Sequence, residues 1–122
     1  MQGDAVWLRI YIGEADRWRG QPLHRSLVEL FHTRGLAGAT VLRGVEGFGA
    51  HSRIHTASIL RMSEDLPLVV DVVDLRARIE ALLPEVDEMV GDGLVTLTDV
   101  RVVSYRGGTR KNDGQQAEEP RT

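Results

Sequence analysis

The chain lacks several residue types and patterns, and each absence excludes a class of protein. None of its 122 residues is cysteine, so it can form no disulfide, thiol nucleophile or thiolate zinc site. No apolar run approaches the roughly 20 residues of a membrane-spanning helix, and the first residues lack the pattern of a signal peptide. The net charge of −3 gives no overall positive field for nucleic acid. We therefore expect a cytoplasmic protein that binds no nucleic acid.

Apolar periodicity divides the chain into alternating strands and helices. A period of two predicts strands, and leucine-rich stripes at helical spacing predict helices. Proline and glycine mark the expected ends of the first helix. The elements in order are a strand over residues 6–12, a helix from Pro22 to Gly35, strands over 37–46 and 66–74, a helix from Asp74 to Val90, and a strand over 94–105.

The order β-α-β-β-α-β predicts an α+β fold of the ferredoxin-like type. In that fold a four-stranded antiparallel sheet carries two helices on one face. Residues 1–106 would form this domain, and the polar residues 107–122 would form a disordered tail. The face without helices is expected to carry Trp7, Tyr11, Val41, Val45, Val69, Val73 and Val103. This is more apolar surface than a small monomer normally exposes, which favours burial against other subunits over a few tolerated surface residues.

Three stretches resemble a known family. They are RIYIGEADRWRGQPL, GLAGATVLRGVEGFGAHSRIHTASILRMSEDLPLVV and MVGDGLVTLTDVRVV. They are similar to the PII signal-transduction proteins and, more closely and over residues 6–106, to the PII-like proteins known as domain of unknown function 190. The resemblance implies a homotrimeric regulatory protein with an adenine nucleotide in the clefts between subunits. It also implies that a loop over residues 47–63 contacts a target such as a membrane transport protein.

The same resemblance identifies the residues expected to bind the nucleotide. Backbone N–H groups of glycine-rich turns form anion-binding nests, and arginine makes bidentate phosphate contacts. In PII proteins a lysine follows the second glycine segment, where Leu94 stands here, and Ser104 replaces an arginine. AMP or ADP is therefore favoured over ATP. The expected residues are Gly47, Phe48 and Gly49 in one segment, Gly91, Asp92 and Gly93 in another, and Arg106 after the last strand.

The loop also suggests other functions. His51 and His55 are four residues apart and on a helix would share a face, as in a metal-binding trimer of the CutA type. Solvated histidines explain the same spacing without a metal. Together with Arg53 and Arg61 they are the residues expected to contact a partner. The loop contains no tyrosine, which excludes the tyrosine nucleotidylation known in some PII proteins.

No grouping of nucleophile, base and orienting residue is visible. We therefore expect a non-enzymatic protein without a cofactor other than the regulatory nucleotide. A third hypothesis is a nucleotide-hydrolysing enzyme that uses Asp92 or Glu46 as its base.

Trp18 lies between two arginines in a polar loop that follows the first strand. An exposed tryptophan in this setting could stack on a base or on a partner. A tryptophan folded onto its own loop is an equally good interpretation.

Overall fold

The computed structural model describes residue 1, residues 3–49 and residues 65–107. The part of the predicted tail that begins at residue 108 lies outside these residues. Most of the loop between the second and third predicted strands lies outside them as well. The secondary structure consists of β1 (Ala5–Gly13), β2 (Arg17–Trp18), β3 (Gln21–Pro22), α1 (Leu23–Thr33), β4 (Thr40–Arg43), β5 (Pro67–Leu75), α2 (Arg76–Met89) and β6 (Leu94–Val100).

The four long strands form one antiparallel sheet in the order β4-β5-β1-β6. Strands β1 and β5 pair over their full nine residues, from Ala5 opposite Leu75 to Gly13 opposite Pro67. Helices α1 and α2 pack against β1 and β5. The ferredoxin-like prediction is confirmed. The two central strands, β5 and β1, are thus long and each is paired on both sides. Their pairing determines which strand termini lie together at each end of the sheet.

Period-two alternation in the central strands produces the core. In β1, alternate residues from Val6 to Ile12 are buried, whereas Trp7, Arg9 and Tyr11 lie on the opposite face. The burial pattern of β5 alternates in the same way. Leu23, Leu27 and Phe31 of α1 and Ile79, Leu82 and Val86 of α2 close the core from above.

The face without helices, here called the open face, differs from the prediction at several positions. Val41 was assigned to it, but it pairs with buried Val70 and packs against the core. The pattern of this four-residue strand is too short to fix its register without the neighbouring strand. Val45 and Val103 lie beyond strand ends and are 93% and 85% exposed.

The last strand is also shorter than predicted, because it ends at Val100 and residues 101–107 are irregular. The apolar alternation continues to Tyr105, but strand pairing with β1 stops at Ala5. The apolar alternation therefore continues beyond the last residue that pairs with β1. Without backbone hydrogen-bond partners among the described residues, residues 101–105 do not form a strand.

Asp74 does not cap α2, although its position suggested that role. The helix begins after Leu75, and no side chain caps it. Asp74 is instead buried, and its Oδ2 accepts a hydrogen bond from the Ala37 N–H at 2.8 Å. It fastens the connection between α1 and β4 to the end of β5. Pro84 lies inside the continuous helix α2 on an exposed position, so it does not divide the helix.

A short hairpin of β2 and β3 occupies the predicted polar loop between β1 and α1. Trp18 of β2 is half-buried and packs against the core. This observation supports the interpretation in which the tryptophan folds onto its own loop. Among the described residues, no helix has the length and apolar character needed to cross a membrane.

Candidate functional site

The two predicted glycine segments meet at one end of the sheet. They border a cavity of about 210 Å³ between the C-terminal end of β1 and the N-terminal ends of β5 and β6. We call it the glycine cavity. Its walls are formed by Tyr11, Ile12, Gly13, Phe48, Gly49, Asp65, Pro67, Asp92, Gly93 and Leu94. Four of the seven residues expected to bind a nucleotide therefore lie around one space.

Close backbone approach explains why some glycines stand at this end of the sheet. A Cβ on Gly93 would lie 2.6 Å from the Tyr11 carbonyl oxygen and 2.9 Å from a methyl carbon of Val90. A Cβ on Gly44 would lie 2.8 Å from the Pro67 ring. Since contacts this short do not occur for real side chains, these two glycines allow the strands and turns to pack.

Gly49 and Gly91 are different, because an added Cβ would meet no described residue within 4 Å at either position. Packing against the described residues does not require glycine at either position. Phe48 beside Gly49 is also 74% exposed. The glycine cavity therefore has a rigid inner wall at Gly93 and an open rim at Phe48, Gly49 and Asp92.

The described walls of the glycine cavity include the acidic residues Asp65 and Asp92 and no arginine, lysine or histidine. Asp65 Oδ1 accepts a hydrogen bond from the Ala15 N–H at 3.3 Å. Among the described residues that line it, the groups suited to hold a phosphate are backbone N–H groups and the Tyr11 hydroxyl. None of these described residues supplies a cation.

Arg106 does not border the glycine cavity. Its neighbours Ser104 and Tyr105 border a second cavity of about 450 Å³, together with the start of β4 and the open face near Asp71 and Val73. We call it the β4 cavity. Val73 pairs with Trp7, four residues along β1 from Tyr11 at the glycine cavity, which corresponds to about 13 Å along a strand. The predicted site is thus divided between two places on one chain.

Gly47 and Gly91 do not border either cavity, although each adjoins a residue that does. His51, Arg53, His55 and Arg61 lie outside the described residues. The metal and partner-contact hypotheses that rest on them stay predictions. Within the described ranges, no three histidine, aspartate or glutamate side chains are grouped closely enough to hold a metal ion.

Sequence reasoning missed most of the rigid wall: Tyr11, Ile12, Gly13, Asp65, Pro67 and Leu94. The predicted strand order contains part of this information, since the ferredoxin-like fold places the end of β1 beside the starts of β5 and β6. The glycine segments alone do not indicate these further residues.

The centre of the open face carries a polar network among apolar neighbours. Arg9 Nε and Nη2 each donate to the Asp71 carboxylate at 2.7 Å, and Trp7 Nε1 donates to Asp71 Oδ1 at 2.9 Å. The Arg9 guanidinium lies 4.6 Å from the centre of the Trp7 ring and 5.8 Å from that of Tyr11. Its hydrogen bonds hold the pKa of Asp71 below the ordinary range and raise the pKa of Arg9. Both groups are therefore charged at neutral pH.

Known proteins are similar to this chain in sequence and in fold. The model of the DUF190 family, described as "Uncharacterized ACR, COG1993", matches residues 5–102. A UPF0166 protein of Methanocaldococcus jannaschii is 32% identical over 103 residues, which cover 84% of this chain and 93% of that protein. A UPF0166 protein of Aquifex aeolicus is 35% identical over 96 residues, which cover 79% of this chain and 90% of that protein.

Two solved structures share the fold at low sequence identity. One is CPII of Thiomonas intermedia K12 bound to ADP, AMP and acetate, with a TM-score of 0.55 and 17% identity over 83% of this chain and 90% of that one. The other is CPII of the same organism bound to ADP and bicarbonate, with a TM-score of 0.51 and 18% identity over 82% and 89% of the two chains. These similarities establish the PII-like architecture.

Proposed function

This chain belongs to the DUF190 family, and we propose that it is a PII-like regulatory protein that binds AMP or ADP between its subunits. The observation that supports this most directly is the convergence of the segments around Phe48 and Gly93 on one cavity. The two CPII structures, one bound to ADP, AMP and acetate and the other to ADP and bicarbonate, support an adenine nucleotide as the ligand.

A site between subunits explains why the expected residues are divided within one chain. The described walls of the glycine cavity offer backbone donors and no cation, and Arg106 follows residues that border the β4 cavity. If the glycine cavity of one copy faces the β4 cavity of the next, Arg106 supplies the missing positive charge. The guanidinium stays charged at any working pH.

The open face provides the surface for such an assembly. Tyr11, Leu42, Val73 and Leu94 are between 37% and 56% exposed there. The central pair of Arg9 and Asp71 can be covered at a lower desolvation cost than two separate charges, because each charge already has its partner. We propose that three copies pack through this face, the number being taken from the resemblance to PII proteins.

The regulatory part of the proposal concerns loop 47–63 and its residues His51, Arg53, His55 and Arg61. Gly49 near the start of this loop and Asp65 just after its end both border the glycine cavity. A nucleotide there would touch the base of the loop and bias its conformation toward or away from a target. We propose a target protein, of which a membrane transport protein is one example, and a non-enzymatic role.

Calorimetric titration with AMP, ADP and ATP, combined with thermal melting, tests nucleotide binding. At a nucleotide concentration a hundred times Kd, the folded assembly gains about 2.7 kcal/mol per site, which is enough for a clear melting shift. Gly91→Val, next to Asp92 at the rim of the glycine cavity, should remove the shift by steric block. It should not unfold the chain, because no described residue lies within 4 Å of the new Cβ. Arg106→Ala should weaken binding by about 1.5–3 kcal/mol, the range for a hydrogen bond to a charged group.

Ala81→Val on the exposed side of α2 is the matched control, since it adds the same kind of side chain far from both cavities. It should keep the melting shift. No shift for the unmodified protein at millimolar AMP, ADP or ATP would refute the proposed ligand.

A further inference from the structure

The hairpin between β1 and α1 has an unusual residue at its tip. Strands β2 and β3 are joined by Arg19 and Gly20, with φ values of 50° and 82°. Two consecutive positive φ angles define a type I′ turn, in which asparagine or glycine is the favoured first residue. Arg19 is the one non-glycine residue with positive φ among the described residues. The local backbone alone does not favour an arginine here.

A contact with the protein body fixes the guanidinium of Arg19. It lies 4.9 Å from the centre of the Trp18 ring, and Trp18 packs against the hydrophobic core. A cation on the face of an aromatic ring leaves its N–H edges free to donate. The hairpin therefore presents a positioned guanidinium at an exposed tip.

Three of the described arginines without an ion pair lie in the hairpin and the first turn of α1. Five described arginines form ion pairs with carboxylates, at positions 9, 34, 43, 76 and 78. Arg17, Arg19 and Arg25 are exposed and form no ion pair with another described residue, and residues 17–25 contain no aspartate or glutamate. This is a local positive surface on a protein with a net charge of −3.

We propose that this hairpin is a docking arm for an acidic segment of a partner protein. A guanidinium binds a carboxylate through two parallel hydrogen bonds, which gives both orientation and strength. Nucleic acid and anionic membranes attract proteins through many summed charges, and the net negative charge of this chain opposes both. A short segment with two or three carboxylates needs only the local charge of Arg17, Arg19 and Arg25. This proposal does not depend on nucleotide binding.

The test measures binding of a fluorescent peptide of alternating glutamate and glycine to the full chain at low salt. Arg19→Asn is the decisive variant, because asparagine followed by glycine is the preferred type I′ pair. We expect its melting temperature to stay the same or rise while peptide affinity falls. Arg17→Gln combined with Arg19→Asn should lower the affinity by about tenfold, which corresponds to roughly 1.4 kcal/mol.

Arg101→Gln is the matched control, since Arg101 is exposed, forms no ion pair with a described residue and lies after β6 rather than in the hairpin. It should leave peptide affinity unchanged. Equal weakening by Arg101→Gln would reduce the effect to general charge and overturn the proposal. A lower melting temperature with unchanged peptide affinity in Arg19→Asn would show that Arg19 serves the fold only. Binding of duplex DNA or of phosphatidylserine vesicles as tight as that of the peptide would overturn the assignment to a protein partner.

Discussion

The two glycines that flank Asp92 should respond differently to substitution by alanine: the unfolding free energy should fall for one variant and stay nearly unchanged for the other. In Gly93→Ala the new Cβ would lie 2.6 Å from the Tyr11 carbonyl oxygen, about 0.8 Å inside the shortest ordinary contact of 3.4 Å. That oxygen belongs to β1, where Tyr11 pairs with Leu94, so it cannot move without disturbing the sheet. We expect a loss of roughly 1–3 kcal/mol in unfolding free energy, the usual result of overpacking.

Gly91→Ala is the matched control two residues away. Its Cβ would meet nothing within 4 Å, and its φ lies outside the left-handed region. We expect a change within about 0.5 kcal/mol. Urea unfolding followed by circular dichroism, at one protein concentration, measures both variants. Because a domain of about 100 residues loses roughly 4–8 °C per kcal/mol, thermal melting should separate them as well.

Equal stability of the two alanine variants would refute the assignment of Gly93 to packing. It would also remove the reason for testing nucleotide binding with Gly91→Val rather than with a variant at Gly93. A destabilised Gly91→Ala would contradict the prediction that Gly91 is not needed for packing against the described residues.

Three further predictions concern the sheet. Since the pKa of Asp71 is lowered in the folded state, its stabilising effect is present above the ordinary aspartate pKa of about 3.9 and is lost as the pH falls through the lower folded value; urea midpoints from neutral to acid pH should therefore fall less in Asp71→Asn than in the unmodified protein, and parallel curves would contradict this. Asp74→Ala should cost about 1–3 kcal/mol, because it removes the buried acceptor of the Ala37 N–H, and hydrogen exchange at Ala37 should accelerate; unchanged exchange would refute the role of Asp74. Val73→Arg places an unpaired charge on the open face and should reduce the mass measured by light scattering, whereas an unchanged mass would show that this face is not the contact between copies.

The sequence was sufficient to predict the order of the long strands and helices and the apolar face of each of them. Periods of 2 and 3.6 are local properties, so alternation in β1 and β5 and the stripe of α1 identified the buried residues correctly. The glycine segments around Phe48 and Gly93 were also visible as local composition, and the structure brings them together. The family resemblance connected them to a nucleotide, which remains a proposal.

The tertiary structure alone decided what depends on register and on distant neighbours. Four residues of β4 could not show that Val41 faces the core until pairing with Val70 fixed it. The bond between Arg9 and Asp71 joins residues 62 positions apart, and the role of Asp74 depends on Ala37, 37 positions away. Gly91 and Gly93 look alike in the sequence, and only the nearby carbonyl of Tyr11 makes one of them indispensable to packing. Contacts of this kind arise from sheet pairing, which the local pattern permits but does not specify.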